Sequence, residues 1–229
     1  MATHTQIIDL YGIPACGKST LAENLTKLSS EKMKMATMVE CIHSARKNKL
    51  KFFRSFSLKN ILASVRLKIS VPLDSKRKAI PLWNILIMGV YKEYVRKYTN
   101  YDIVVTDHGD IQRFVSLERG DDLHESKKFL KACDRYLDVS LSTNYVYCRI
   151  NAEEALRRMN GRGREKGRID LIKDPKVKLQ ELEKETRCFD FWTSMLKEKG
   201  FSVIELNMEQ SSPMIADKLL SFIQKESNR

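Results

Sequence analysis

The amino-acid sequence predicts an α/β fold in which a parallel β-sheet carries helices on both faces. Five short segments rich in apolar residues alternate with segments of helical periodicity along most of the chain. Alternation of this kind implies right-handed crossover connections between parallel strands. The first of the five segments leads directly into a glycine-containing loop that ends in a lysine–serine pair. A phosphate-binding loop is therefore expected at the carboxyl ends of the strands.

The individual elements follow from the periodicity of apolar residues and from the start signals of helices. Strands are expected at residues 6–11, 35–40, 101–106, 144–150 and 201–206. Helices are expected from the phosphate loop to about residue 29 and over residues 126–138, 152–160, 174–199 and 213–226. The last helix has Ser212 as its expected N-cap and Pro213 at its first position, where a missing N–H is tolerated.

The size and composition indicate one soluble domain. The 229 residues suffice for a single P-loop-type domain with a buried core, and 42% are hydrophobic and 31% charged. No apolar run approaches the length that spans a bilayer, and the first strand begins too early to leave room for a signal peptide. The five cysteines are odd in number and lack the spacing of metal ligands, which favours reduced thiols. We expect a cytoplasmic protein.

Residues 43–98 depart from the alternation because they are too long for a simple crossover. Apolar residues at helical spacing predict one helix, and a second helix is expected from residue 81 to about residue 98. The residues that set the first helix are Leu58, Ile61, Leu62, Val65 and Ile69. We expect an inserted basic helical subdomain or lid rather than an independent domain.

The net charge of +12 belongs entirely to this insert, which holds fourteen Lys or Arg residues and only two acids, Asp74 and Glu93. The rest of the chain holds 27 bases and 27 acids and is neutral. One interpretation is a docking surface for nucleic acid or for an anionic membrane. The other is a solvated basic face over ordinary core helices, and the sequence leaves both open.

Residues 12–19 have the G-x-x-x-x-G-K-S spacing of a polyphosphate-binding loop. Glycines allow the backbone to curl and phosphate oxygens to approach, and the following helix points its positive end at the anion. Lys18 is expected to reach the β and γ phosphates of ATP, and Ser19 to offer its hydroxyl to Mg²⁺. The predicted nucleotide-binding residues are Gly12, Ile13, Pro14, Ala15, Cys16, Gly17, Lys18, Ser19 and Thr20.

Two acids are expected at the same edge of the sheet. Asp107 ends the third predicted strand and, with Ser19, is the expected partner of Mg²⁺. The alternatives are a turn-forming or capping role for Asp107 and a metal role for Asp110. Glu40 ends the second predicted strand, where it could take the proton of an attacking hydroxyl or be an exposed acid without a role.

Two further titratable residues attract attention at this edge. Asp9 lies inside the first predicted strand and is interpreted as a buried, hydrogen-bonded structural acid. His108 adjoins Asp107, and a local hydrogen-bonding role is favoured over a role as base.

Residues 157–170 combine arginines with three glycines. Arginine suits bidentate phosphate contacts, and glycines allow movement, so this segment is predicted to be a lid over bound nucleotide. The alternative is an exposed basic loop.

A resemblance to thymidylate kinases and their deoxynucleoside kinase relatives lies in residues 146–170, which read Val-Tyr-Cys-Arg-Ile-Asn-Ala-Glu-Glu-Ala-Leu-Arg-Arg-Met-Asn-Gly-Arg-Gly-Arg-Glu-Lys-Gly-Arg-Ile-Asp. Residues 185–192, Glu-Thr-Arg-Cys-Phe-Asp-Phe-Trp, resemble the helix that follows the lid in that group. The resemblance covers about residues 1–40 and 101–226. Where the group has arginine after the strand-end acid, this chain has His108.

The resemblance implies a five-stranded sheet of order 2-3-1-4-5 and a Mg²⁺- and ATP-dependent kinase of a nucleoside or nucleoside monophosphate. It places the catalytic base at Glu40 and the acid of the Asp/Glu-Arg motif at Asp107. The residues expected to take part in catalysis are Lys18, Glu40, Asp107, Arg162, Arg164 and Arg168.

Two other functions remain open at this point. The acceptor could be polyanionic or membrane-associated, such as the 5′-hydroxyl of a nucleic acid bound by residues 43–98. The chain could also be a P-loop ATPase without an acceptor. The expected partners are a nucleoside triphosphate and a small-molecule acceptor, and a homodimer stays open.

Overall fold

The computed structural model describes residues 5–31, 33–71, 82–118, 125–161, 167–210 and 212–227. It contains one five-stranded sheet in which every pairing is parallel, in the order β2-β3-β1-β4-β5. The strands are β1 Gln6–Tyr11, β2 Met35–Thr37, β3 Ile103–Thr106, β4 Asn144–Arg149 and β5 Val203–Asn207. The predicted α/β fold and strand order are confirmed.

Ten helices lie within the described residues. They are α1 Lys18–Lys27, α2 Met38–Lys47, α3 Lys49–Phe53, α4 Leu58–Ser70, α5 Leu82–Tyr98, α6 Asp110–Glu118, α7 Lys127–Leu137, α8 Ala152–Gly161, α9 Pro175–Glu198 and α10 Ser212–Ser227. The helices expected from periodicity are present with ends shifted by a few residues. Helices α2, α3 and α6 were not predicted.

Helices cover both faces of the sheet because successive strand residues face opposite sides. Ile8 and Val105 pack into a large core with Trp192 of α9. Their neighbours Ile7 and Val104 pack into a second core with Tyr94 of α5. Strands buried on both faces are nearly continuous apolar runs, as the sequence of β1 shows.

The end of the second strand is corrected by the structure. The predicted strand 35–40 stops at Thr37, and Glu40 lies in the first turn of α2. The Thr37 side chain accepts a hydrogen bond from the Glu40 N–H, and the Glu40 carboxylate accepts from the Thr37 N–H at 2.7 Å. This capping box satisfies two N–H groups at the helix start, which outweighs the β preference of the apolar residues between them.

The described parts of the basic insert, residues 43–71 and 82–98, fold as helices packed on the rest of the molecule. Helix α5 contributes Ile85, Val90 and Val95 to the buried interior, and α4 packs against α5 and α7. Among the helices of the described ranges, none is both long and apolar enough to cross a lipid bilayer.

Candidate phosphate-binding and active site

The loop between β1 and α1 has a curled backbone that depends on positive φ angles. Gly12 has φ 146°, Ala15 φ 64° and Gly17 φ 102°. A Cβ at Gly12 would lie 2.5 Å from the Cys148 carbonyl oxygen of β4, so a larger residue does not fit there. Gly17 begins α1 without a side-chain cap, which leaves the N–H groups of the first turn for an anion.

The Lys18 amine lies inside this loop. It donates hydrogen bonds to the carbonyl oxygens of Gly12 at 2.6 Å and Ile13 at 3.1 Å, and the side chain is buried. The loop therefore holds a positive charge at the point on which its backbone converges. This placement agrees with the predicted role of Lys18 as a phosphate contact.

Cys16 lies beside this charge, with its sulfur 3.4 Å from the Lys18 amine. Burial alone would raise the pKa of Cys16, but a hydrogen bond with the Cys148 thiol and the Lys18 ammonium together lower the pKa to about 6. Cys148 retains its proton because that hydrogen bond and burial raise its pKa. The contacts with Lys18 and Cys148 thus favour the thiolate form of Cys16.

Ser19 and Asp107 are brought together as the sequence predicted. The Ser19 hydroxyl donates a hydrogen bond of 2.6 Å to Oδ2 of Asp107, between the first turn of α1 and the end of β3. A hydroxyl and a carboxylate are the hard oxygen donors that Mg²⁺ prefers. Within the described ranges, no group of three or more His, Cys, Asp or Glu residues is arranged to hold a metal ion. The Ser19–Asp107 pair fits an ion whose other ligands are phosphate oxygens and water.

The segment that carries Asp107 is held against β1 by a buried acid. Oδ2 of Asp9 accepts a hydrogen bond of 2.6 Å from the N–H of Asp110, at the start of α6. Gly109 approaches Asp9 so closely that a Cβ there would lie 2.0 Å from Oδ1 of the carboxyl group. The structural role expected for Asp9 is thereby observed, and Gly109 is a required neighbour that the sequence did not single out.

Asp110 belongs to a buried ion pair and not to the Ser19–Asp107 pair. Its Oδ2 lies 2.7 Å from the Lys92 amine, which also donates to Ser140 and Ser142. Burial acts to raise the pKa of Asp110, but the Lys92 charge lowers it overall. The Asp110 carboxylate is therefore already paired with Lys92, and it is Asp107 that lies beside Ser19. The sequence gives no indication that Lys92 of α5 pairs with Asp110 of α6.

Burial has the opposite outcome at Asp9, where it raises the pKa to about 7 with a further contribution from the Asp110 carboxylate. Among the described residues, Oδ1 of Asp9 has no hydrogen-bond partner. Burial also lowers the pKa of His108, although Asp107 opposes this, so the imidazole is favoured in its neutral form.

Glu40 lies at the same edge of the sheet as Asp107. β2 pairs with β3 so that Thr37 is opposite Val105, which puts the residues following both strands side by side. The Glu40 side chain is exposed, and its Oε2 accepts from the N–H and, at 3.1 Å, the hydroxyl of Thr37. Its position suits the role expected for it, while the contacts it makes are those of a helix cap.

The predicted lid is described only at its ends. Arg162 and Arg164 lie outside the described residues. The Arg168 guanidinium binds Glu181 at 2.9 Å and Glu185 at 3.5 Å, both on α9, so this structure does not bring Arg168 to the phosphate loop. At the start of the predicted lid, Arg158 donates to the carbonyl oxygen of Met208 after β5.

A cavity of about 730 Å³ lies at the carboxyl ends of β4 and β5. Six of the residues that line it are Arg149, Asn151, Glu153, Glu205, Asn207 and Lys218. The turn after β5 also adjoins the phosphate loop, because the Met208 methyl group would lie 3.3 Å from a Cβ at Gly17. The cavity is therefore beside the phosphate loop, on the side opposite Glu40.

The parallel sheet of order β2-β3-β1-β4-β5 and the curled loop after β1 define a P-loop type of fold. No family model matches the sequence, and no curated protein does. Solved structures do match. Two of them are deoxyadenosine kinase from M. mycoides, one with the products dCMP and a flexible dCDP and one with bound dATP.

Each of these structures is 14% identical to this chain, with 96% of this chain and all of the other covered, at TM-scores of 0.51 and 0.52. The likeness at this identity is one of fold. It confirms the resemblance to the deoxynucleoside kinase group at that level.

Proposed function

We propose that this protein is a Mg²⁺- and ATP-dependent phosphotransferase that acts on a nucleoside or a nucleoside monophosphate. The observation that carries the proposal is the arrangement of the phosphate loop, with the Lys18 amine at its centre and the Ser19–Asp107 pair at its mouth. Phosphoryl transfer needs positioning and charge stabilisation more than covalent help from the protein. This arrangement supplies both.

The chain's own groups divide the work as follows. The loop N–H groups and Lys18 bind the donor phosphates, and the Lys18 ammonium exchanges its carbonyl contacts for phosphate oxygens. Ser19 and Asp107 would hold Mg²⁺, which supplies charge neutralisation at the transferred group. Glu40 accepts the proton of the acceptor hydroxyl.

The two substrates are assigned to opposite sides of the phosphate loop. Glu40 and Asp107 follow β2 and β3, so the acceptor belongs on that side of β1. The donor nucleoside then belongs in the cavity beside β4 and β5, whose volume of about 730 Å³ lies in the range of small-molecule sites. In this assignment the lid residues Arg162, Arg164 and Arg168 close over the donor phosphates.

The acceptor class is supported by the fold. The solved structures that share it hold dCMP, dCDP and dATP, which are nucleotides of deoxynucleosides. We therefore place deoxynucleosides and their monophosphates first among the candidate acceptors.

Transfer of labelled phosphate from [γ-³²P]ATP with Mg²⁺ tests the proposal against a panel of ribo- and deoxynucleosides and their monophosphates. We expect at least one acceptor to be labelled, and Lys18→Met to reduce that transfer at least 100-fold because the loop loses its positive charge. Circular dichroism of the variant checks its fold, and Lys199→Met, at an exposed lysine far along the chain, is the control. Release of inorganic phosphate without transfer to any acceptor would show an ATPase instead.

A further inference from the structure

Helix α4 exposes a row of large apolar side chains of the kind that most surface helices bury. Its buried residues are Asn60, Ala63, Ser64, Leu67 and Ser70, of which Leu67 alone is large and apolar. Its outward side carries Leu58, which is 71% exposed, and Ile69, which is 65% exposed. A surface helix of a globular protein normally turns its large apolar side chains to the core. The reversed orientation indicates that this side of α4 meets something other than water.

The exposed apolar surface continues from α4 onto the neighbouring helices. Phe53 at the end of α3 is 66% exposed and Trp83 in α5 is 51% exposed. The Phe56 ring joins them, with its centroid 6.3 Å from that of Phe53 and 6.1 Å from that of Trp83. We call this set the apolar face, and its exposed members are Leu50, Phe53, Leu58, Leu62, Ile69 and Trp83. Contiguous exposed apolar groups mark an interaction site.

Positive charge surrounds the apolar face. Residues 41–71 contain eight Lys or Arg residues and no acidic residue. Seven of the eight are exposed, namely Arg46, Lys47, Lys49, Lys51, Arg54, Lys59 and Arg66. A partner of this surface must therefore accept apolar side chains and carry negative charge.

We propose that α3, α4 and the start of α5 dock this protein on an anionic lipid surface. The apolar face enters the boundary between headgroups and acyl chains, with α4 in the plane of the membrane, and the surrounding Lys and Arg contact lipid phosphates. Docking of this kind needs no membrane-spanning helix.

Charge and side-chain type favour lipid over the other partners. A second copy docked through the same face would bring two clusters of like charge together, which costs free energy. Nucleic acid would match the charge, but the aliphatic Leu58, Leu62 and Ile69 neither stack on bases nor bond their edges. A bilayer accepts both the aliphatic and the basic side chains.

Flotation of the whole protein with vesicles tests the proposal. We expect binding to phosphatidylcholine vesicles that contain 30% phosphatidylserine, weaker binding as salt rises, and little binding to phosphatidylcholine alone. Leu58→Gln/Leu62→Gln/Ile69→Gln should reduce binding at least tenfold, and so should Lys49→Gln/Lys51→Gln/Arg54→Gln. All six residues are exposed, so both variants are expected to fold.

Matched controls lie elsewhere on the surface. Leu171→Gln/Val177→Gln removes exposed apolar residues, and Lys127→Gln/Lys128→Gln/Lys131→Gln removes exposed charge, and both should bind as the parent does. Anionic vesicles should also shift the tryptophan emission to the blue. Because Trp192 is fully buried, Trp83→Phe should abolish that shift.

Three results would overturn the proposal. One is no binding to anionic vesicles at low salt, and another is equal binding by the α4 variant and the parent. The third is evidence for a different partner. In that case the parent forms a dimer in sedimentation, or a complex with single-stranded DNA or RNA, that Leu58→Gln/Leu62→Gln/Ile69→Gln loses. Neither protein binds vesicles.

Discussion

At the scale of single residues, the close contact between Gly109 and Asp9 sets the position of Asp107. A Cβ at position 109 would lie 2.0 Å from the Asp9 carboxyl oxygen, and the surrounding atoms are buried. Gly109→Ala should therefore lower the free energy of unfolding by about 2 kcal/mol or more and displace Asp107, with a loss of phosphate transfer. Denaturant unfolding and the transfer assay measure the two effects.

Gly161 offers the matched control, because a Cβ there meets nothing within 4 Å. Gly161→Ala should leave stability unchanged or raise it slightly. A Gly109→Ala variant as stable as Gly161→Ala and as active as the parent would show that the segment shifts without consequence for the site.

The thiolate of Cys16 permits a second test at this scale. Its pKa of about 6 predicts that alkylation by iodoacetamide, followed by mass spectrometry, reaches half its maximal rate near pH 6. The reaction should be slow because Cys16 is buried, and Mg²⁺ with ATP should slow it further. Cys133, whose pKa burial raises, should stay unmodified over the same range. A midpoint near pH 9 for Cys16 would contradict the contact with Lys18.

At the scale of elements, Glu40 is both a member of the capping box that stabilises the start of α2 and the expected base. Glutamine at the third position of a helix serves in a capping box as glutamate does. Glu40→Gln should therefore retain the cap while it removes the carboxylate. If Glu40 is the base, transfer should fall about 100-fold or more with little change in stability.

Thr37→Ala makes the complementary change. It removes the side chain that accepts from the Glu40 N–H but keeps the carboxylate, so stability should fall by about 1 kcal/mol and most of the activity should remain. Activity and unfolding measured on both variants separate the two roles. Full activity of Glu40→Gln would leave Glu40 as a cap alone.

At the scale of the whole molecule, the buried acid beneath the sheet edge makes stability depend on pH. The Asp9 carboxyl has a pKa raised from 3.8 to about 7, so it binds its proton more tightly in the folded protein than in the unfolded chain. Its contribution to stability is full below pH 3.8 and is lost as the pH rises through 7.

Asp9→Asn removes this titration and keeps an oxygen that accepts from the Asp110 N–H. Between pH 5 and pH 8, the free energy of unfolding of the parent should fall by roughly 2 kcal/mol relative to that of the variant. Urea unfolding at the two pH values measures it, and Asp217→Asn, at an exposed position, should show no such difference. Parallel pH profiles of parent and Asp9→Asn would mean that Asp9 titrates normally.

Local pattern accounts for the elements that were predicted correctly. The strands are short, nearly continuous apolar runs, and the long helices α9 and α10 repeat their apolar residues at the helical period, so a short window of sequence suffices. At α2 the sequence did carry the Thr-x-x-Glu signal, but the apolar Met38 and Val39 between those residues were read as strand. Helix α6 was missed because its first N–H is bonded by Asp9, a residue 101 positions earlier.

The sequence by itself determined the fold class, the phosphate loop and the pairing of Ser19 with Asp107. All three depend on local spacing and on the rule that parallel strands end at one edge. Only the tertiary structure decided which acid is paired, as with Asp110 and Lys92, and which face of α4 meets the solvent. Burial and charge partners are set by contacts between distant segments, and no window of sequence contains them.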